Sequence, residues 1–121
     1  MGDEAAHWAR KLTETLLLHR QMPALTADRV DDANLVVSEL VTNATRHGRG
    51  ECRLRLRAGG RRVTVEVHDD SPHWPRVRPI AELAENGRGL AIVRLLARRL
   101  SVTGDVGGGK TVRAVLATAY R

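Results

Sequence analysis

Glu39 and Asn43 stand four residues apart in the stretch Ser38-Glu39-Leu40-Val41-Thr42-Asn43-Ala44-Thr45-Arg46-His47-Gly48. On a helix that spacing puts them about 40° apart on one side. Ala33, Val36, Val37, Leu40, Val41 and Ala44 share a broad apolar arc of the same helix, and the pair falls at the arc's edge. A carboxylate and an amide at a core boundary face a cleft more readily than open water. Glu39 could take a proton there, and the Asn43 carbonyl could ligate a hard cation such as Mg²⁺. A solvated helix flank would carry the same two residues, and the spacing alone does not separate the two readings.

Asp69 stands out by parity. Val63, Val65 and Val67 alternate as the core face of a strand, and Asp69 continues the same face. An inward carboxylate costs roughly several kcal/mol unless something hydrogen-bonds to it. A ligand amine is one candidate, and a buried water or a helix N-terminus is the other. Further on, Asn86-Gly87-Arg88-Gly89 opens a helical pattern. Glycines there let backbone N–H groups approach an anion, and the helix dipole favours phosphate. An ordinary loop-to-helix junction has the same composition. Gly104-Asp105-Val106-Gly107-Gly108-Gly109-Lys110-Thr111 matches the phosphate-cradling G-x-x-x-x-G-K-T pattern. Its context refuses that reading, because little chain follows and Val112 to Ala119 reads as a strand rather than a long helix.

These residues need elements to hold them. Glu4 to Arg20 reads as a helix, with Ala5, Trp8, Ala9, Leu12 and Leu16 on one face. Gln21 to Thr26 reads as a loop around Pro23. The central helix is expected to begin near Asp31 and to stop at Gly48 and Gly50. Glu51 to Ala58 switches to period two, with Cys52, Leu54, Leu56 and Ala58 on one face and Arg53, Arg55 and Arg57 on the other. Gly59-Gly60 marks a hairpin turn before the return strand. Asp70 to Glu85, with Pro72, Pro75 and Pro79, is irregular and long enough to act as a lid. The helix after it is expected to turn Leu90, Val93, Ala97 and Leu100 inward and Arg94, Arg98 and Arg99 outward. Val102 lies in a short strand, and Lys110 to Ala119 forms the last one through Val112, Ala114 and Leu116. Helices grouped around runs of strands argue an α+β two-layer sandwich with a mixed, largely antiparallel sheet.

Composition bounds the function. The chain of 121 residues is expected to form a single domain over 1–121, burying roughly two-thirds of its unfolded surface. Cys52 is the only cysteine, which suits a reducing compartment, and no apolar run is long enough to span a membrane. A cytoplasmic protein without membrane partners is the expectation. The net charge of +6 permits an acidic protein, a phosphate ligand or a nucleic acid as partner. With Trp8, Trp74 and Tyr120 as the only aromatics, a base-stacking surface is not available. Direct nucleic-acid binding is therefore not expected. Arg53, Arg55, Arg57, Arg61 and Arg62 read as a solvated or protein-binding face. His7, His19, His47, His68 and His73 show no metal-ligand spacing, so no zinc is expected.

With these pieces placed, the sequence resembles the histidine kinase-like ATPases, which include gyrase and the sensor histidine kinases. It is most similar to their small branch of anti-sigma-factor serine kinases. Glu39-Leu40-Val41-Thr42-Asn43-Ala44 with Arg46-His47 looks like the N box. Val67-His68-Asp69-Asp70-Ser71-Pro72 looks like the first glycine box, and Asn86-Gly87-Arg88-Gly89-Leu90 like the second. Gly108-Gly109-Lys110-Thr111-Val112 looks like the terminal strand. No single box is specific, but four in order with suitable spacing are.

The resemblance implies a Bergerat-type ATP-binding fold and a set of roles. Asn43 would hold Mg²⁺ against the ATP phosphates, and Glu39 would be the general base toward a serine of a protein substrate. Asp69 would accept the adenine amino group. Gly87, Arg88 and Gly89 would wrap the phosphates, Arg46 would reach phosphate or remain solvated, and Thr111 would lie near the adenine-side Asp. ATP and ADP, an anti-anti-sigma protein and a sigma factor are the implied partners, and a homodimer is compatible. The same fold could also switch partners on ATP binding without phosphotransfer. Ser71 and His73 replace the two glycines usual in the first glycine box, and Arg113 replaces an aromatic common in the terminal strand.

Overall fold

The computed structural model describes residues 2–19, 25–47, 52–70 and 89–118. Among the described residues three helices, α1 (Gly2–His19), α2 (Ala27–His47) and α3 (Gly89–Leu96), cover one face of a four-stranded sheet. The strands are β1 (Arg53–Gly59), β2 (Arg62–Asp69), β3 (Arg99–Gly104) and β4 (Lys110–Ala117). Their order is β1-β2-β4-β3, and every neighbouring pair is antiparallel. The two-layer α+β arrangement is the expected one; among the described residues no parallel pair contributes.

Alternation on the strands sets the layers. Val63, Val65, Val67, Val112, Ala114 and Leu116 are buried beneath the helices. They meet Ala33, Val36, Val37, Leu40, Val41 and Ala44, the apolar arc of α2, all at most 2% exposed. Arg53, Arg55, Arg57, Arg99 and Arg113 occupy the opposite, open face. Among the described residues no large aromatic enters the core, and burial of many aliphatic side chains supplies the hydrophobic stabilisation.

Two boundaries differ from expectation by about a turn. Helix α2 starts at Ala27, about a turn before Asp31. Thr26 caps it: the Arg29 amide donates to Thr26 Oγ1 at 3.2 Å and the Val30 amide to the Thr26 carbonyl at 3.1 Å. Asp28 in the first turn favours the same end. Helix α3 stops at Leu96, so Leu100 is a strand residue rather than a helical one. The last helical bond runs from the Ala97 amide to Val93, and the Arg98 amide then donates to the Val115 carbonyl at 2.7 Å. The edge of β4 offered hydrogen-bond partners that overrode the helical period.

Arg29 locks this end of the molecule. It is 5% exposed, and its Nε donates to the Ala117 carbonyl at 2.9 Å. Its Nη1 reaches Asp32 at 2.8 Å and its Nη2 the Leu96 carbonyl at 3.2 Å. One guanidinium thus joins the start of α2, the end of α3 and the end of β4, and it sets α3 antiparallel to α2.

The G-x-x-x-x-G-K-T match is a hairpin turn between β3 and β4. The Asp105 amide donates to the Gly109 carbonyl at 3.1 Å and the Gly108 amide to the Asp105 carbonyl at 3.0 Å. Gly107, Gly108 and Gly109 have φ of 74°, 101° and 85°, a region only glycine enters at low cost.

Candidate functional site

The topology gathers the chemistry at one end of the sheet. A short link joins the C-terminal end of α2 to the start of β1. That is also the end at which β2 finishes at Asp69, β4 begins at Lys110 and β3 runs into its turn. Because α3 is antiparallel to α2, its first residue, Gly89, returns to the same end. Glu39 and Asn43, both half-buried, lie on α2 toward it.

Glu39 and Gly89 meet. A Cβ built on Gly89 would lie 2.7 Å from Glu39 Oε1. Any larger residue there would displace the carboxylate. Glycine at this junction therefore leaves the carboxylate its place and opens the backbone at the start of α3. Asn43 lies one turn beyond Glu39 on α2. The Asn43 amide oxygen is a hard donor, which suits Mg²⁺. Among the described residues no cluster of three His, Cys, Asp or Glu could hold a metal. With the Asn43 amide oxygen as a ligand, Mg²⁺ would keep waters and phosphate oxygens as its others.

Asp69 has a partner that neither sequence alternative named. It is 1% exposed, and Lys110 Nζ donates to both its oxygens, at 2.8 and 2.9 Å. Lys110 is equally buried and directly opposite in register. The two charges offset each other in a dry setting, where each alone would be costly. The signal was available: Lys110 has the same inward parity as Val112, Ala114 and Leu116. Gly109 makes the approach feasible, since a Cβ there would lie within van der Waals overlap of the Asp69 carbonyl oxygen.

Cys52, beside this pair at the head of β1, is partly buried against the core. Burial pushes its thiol pKa up, and the negative charge of Asp69 adds to the rise.

Thr111 is a register neighbour of this pair, but alternation sends its side chain to the open face of the sheet. There Thr111 Oγ1 donates to Asp105 Oδ2 at 3.1 Å, and His68 Nδ1 lies 2.5 Å from the same oxygen. The hydroxyl anchors the β3–β4 turn, and on β4 the inward position toward Asp69 belongs to Lys110. Arg46 is on the last turn of α2, but its side chain lies outside the described residues, as do Gly87, Arg88 and all of the expected lid, Asp70 to Glu85, beyond Asp70 itself. A separate cavity of about 340 Å³ lies between α3 and the edge strand β3, lined by Leu90, Leu100, Val102 and Val112 with Arg94 and Arg98. It does not include Glu39, Asn43 or Asp69.

The fold has relatives of known structure. A mycobacterial sensor histidine kinase, MprB, is 18% identical with a TM-score of 0.53, over 73% of this chain and 71% of that one. The histidine kinase domain of the E. coli osmosensor EnvZ is 22% identical with a TM-score of 0.50, over 74% of this chain and 66% of that one. The blue-light-activated histidine kinase of Erythrobacter litoralis is 28% identical with a TM-score of 0.49; 72% of this chain covers 43% of it. This chain therefore spans less than half of the last and just under two-thirds of the EnvZ domain. No curated protein matches the chain. The sequence model of the Histidine kinase-like ATPase domain matches residues 3–116, nearly the whole chain. The four boxes, the helix-covered sheet and the approach of Glu39 to Gly89 all lie within that match, and the chain belongs to the histidine kinase-like ATPase domain family.

Proposed function

We propose that this protein is an ATP-binding regulator that phosphorylates a serine of an anti-anti-sigma-type protein and, in alternation, holds a sigma factor. The observation that carries the reading is the contact between Glu39 and Gly89 at the start of α3. A carboxylate is held against a glycine-opened helix N-terminus, where a terminal phosphate is favoured. Asn43, one turn away, holds Mg²⁺ on the phosphates. Asp69 takes the adenine amino group, while Gly87, Arg88, Gly89 and Arg46 meet the phosphates. Thr111 serves the site indirectly, by tying down the turn that sets Lys110 opposite Asp69.

In the transfer step the serine oxygen bonds to the γ-phosphorus as the bond to the β–γ bridging oxygen breaks. The hydroxyl proton passes to the Glu39 carboxylate, and ADP leaves. Positioning and charge stabilisation supply most of the catalysis in such transfers. A second reading keeps the ATP site and the partner switch without transfer. Ser71 and His73, in place of the glycines usual in the first glycine box, favour it.

Radiolabel transfer from ATP to candidate anti-anti-sigma proteins, at matched nucleotide occupancy, separates the two. Glu39→Gln should keep nucleotide affinity within a few-fold and cut transfer by roughly a hundredfold or more, the usual worth of a general base. Removal of Asn43 should lower both. A wild-type protein that labels no candidate, yet binds a sigma factor only with ATP, would establish the switch without the kinase. Equal labelling by Glu39→Gln would remove Glu39 from the role of base.

A further inference from the structure

The buried partner of Asp69 raises a question about the base end of the nucleotide. An ammonium has three N–H donors. Lys110 spends two on the oxygens of Asp69, and among the described residues nothing accepts the third. Its side chain is 1% exposed, so water is a poor substitute in the structure as it stands. An unspent donor on a buried charge is costly, and an acceptor brought to it is worth more than the same contact in water. The turn glycines and the Asp69–Lys110 register hold this donor beside the carboxylate acceptor.

A donor and an acceptor side by side can read two adjacent ring positions. We infer that Lys110 is a nucleotide-contacting, specificity-determining residue: its ammonium donates to ring nitrogen N1 of a 6-aminopurine whose amino group donates to Asp69. This rests on the ATP-binding reading above and on the role given there to Asp69. With the base in that orientation, a 6-oxopurine reverses both contacts. Its O6 faces the carboxylate, and its N1–H faces the ammonium. The pair therefore excludes inosine and guanosine nucleotides at two positions, where a lone carboxylate would do so at one.

The test begins with the ligand, so the wild-type protein suffices. Calorimetric titration compares ATP, 1-deaza-ATP, in which N1 is a C–H group, and ITP. Loss of a hydrogen bond to a charged donor predicts that 1-deaza-ATP binds roughly tenfold or more weaker than ATP. ITP should be weaker still, by roughly a hundredfold or more, because two contacts turn repulsive. Lys110→Met should bring ATP and 1-deaza-ATP to within about twofold of each other, since the partner of N1 is gone. If that variant does not fold, the wild-type comparison decides alone. Wild type that binds ATP and 1-deaza-ATP equally overturns the inference and leaves the ATP-binding reading intact. Wild type that binds no ATP overturns that reading, and the inference falls with it.

Discussion

At Gly89, one missing side chain decides where a carboxylate sits. An added Cβ would meet Glu39 Oε1 at 2.7 Å, and that oxygen is the end of a flexible side chain, so it can swing away. Gly89→Ala should therefore fold with nearly unchanged stability, within about 1 kcal/mol of wild type, because alanine also suits a helix better than glycine. Transfer to a serine substrate should nevertheless fall by roughly tenfold or more, as a misplaced base loses its reach. Urea unfolding together with the radiolabel assay checks both halves. A variant that loses stability and activity in parallel would instead mark Gly89 as a packing residue only. Gly109 differs from Gly89, because there the obstructing atom is backbone, the Asp69 carbonyl, which cannot swing aside.

Between elements, Arg29 is the joint farthest from the candidate site and the one on which its geometry depends. Its guanidinium satisfies the Leu96 carbonyl at the end of α3 and the Ala117 carbonyl at the end of β4. It thereby fixes the direction in which α3 brings Gly89 back to Glu39. Arg29→Met keeps the apolar stem and removes the donors. It should cost roughly 3 kcal/mol, read as a lower urea midpoint with an unchanged slope. Arg29→Lys should recover little of it, since a point charge cannot serve three acceptors in a planar fork. Recovery by lysine would mean that charge alone matters at this joint. Helix α3 is also where reading by periodicity ran furthest from the structure. Leu90, Val93, Ala97 and Leu100 fit one helical face, yet only the first two lie within the helix, because β4 had an edge to pair and a helical period carries no record of a distant edge.

For the whole molecule, the family match and the fold make nucleotide the ligand to test first, and linkage gives the size of the response. Mg²⁺-ATP at about a hundred times its dissociation constant should stabilise the folded state by ~2.7 kcal/mol. For a chain of this size that raises Tm by on the order of 10 °C. ATP with a chelator should give a smaller shift if Asn43 holds the cation, and differential scanning fluorimetry reads both. Equal shifts with and without Mg²⁺ would take Asn43 out of the metal's shell. Among the described residues no helix is long and apolar enough to cross a membrane, in keeping with the hydropathy of the chain. The sequence by itself determined the element order, the inward face of each strand and the apolar arc of α2. Those depend on local periodicity, and the side chains carry it. It also showed that Asp69 must have a partner, since parity alone points that carboxylate into the core. Only the tertiary structure decided that the partner is Lys110 and that Gly89 packs on Glu39. Each of these depends on which residues register and helix direction bring together across dozens of positions, and pairing across that distance leaves no period in the chain to read.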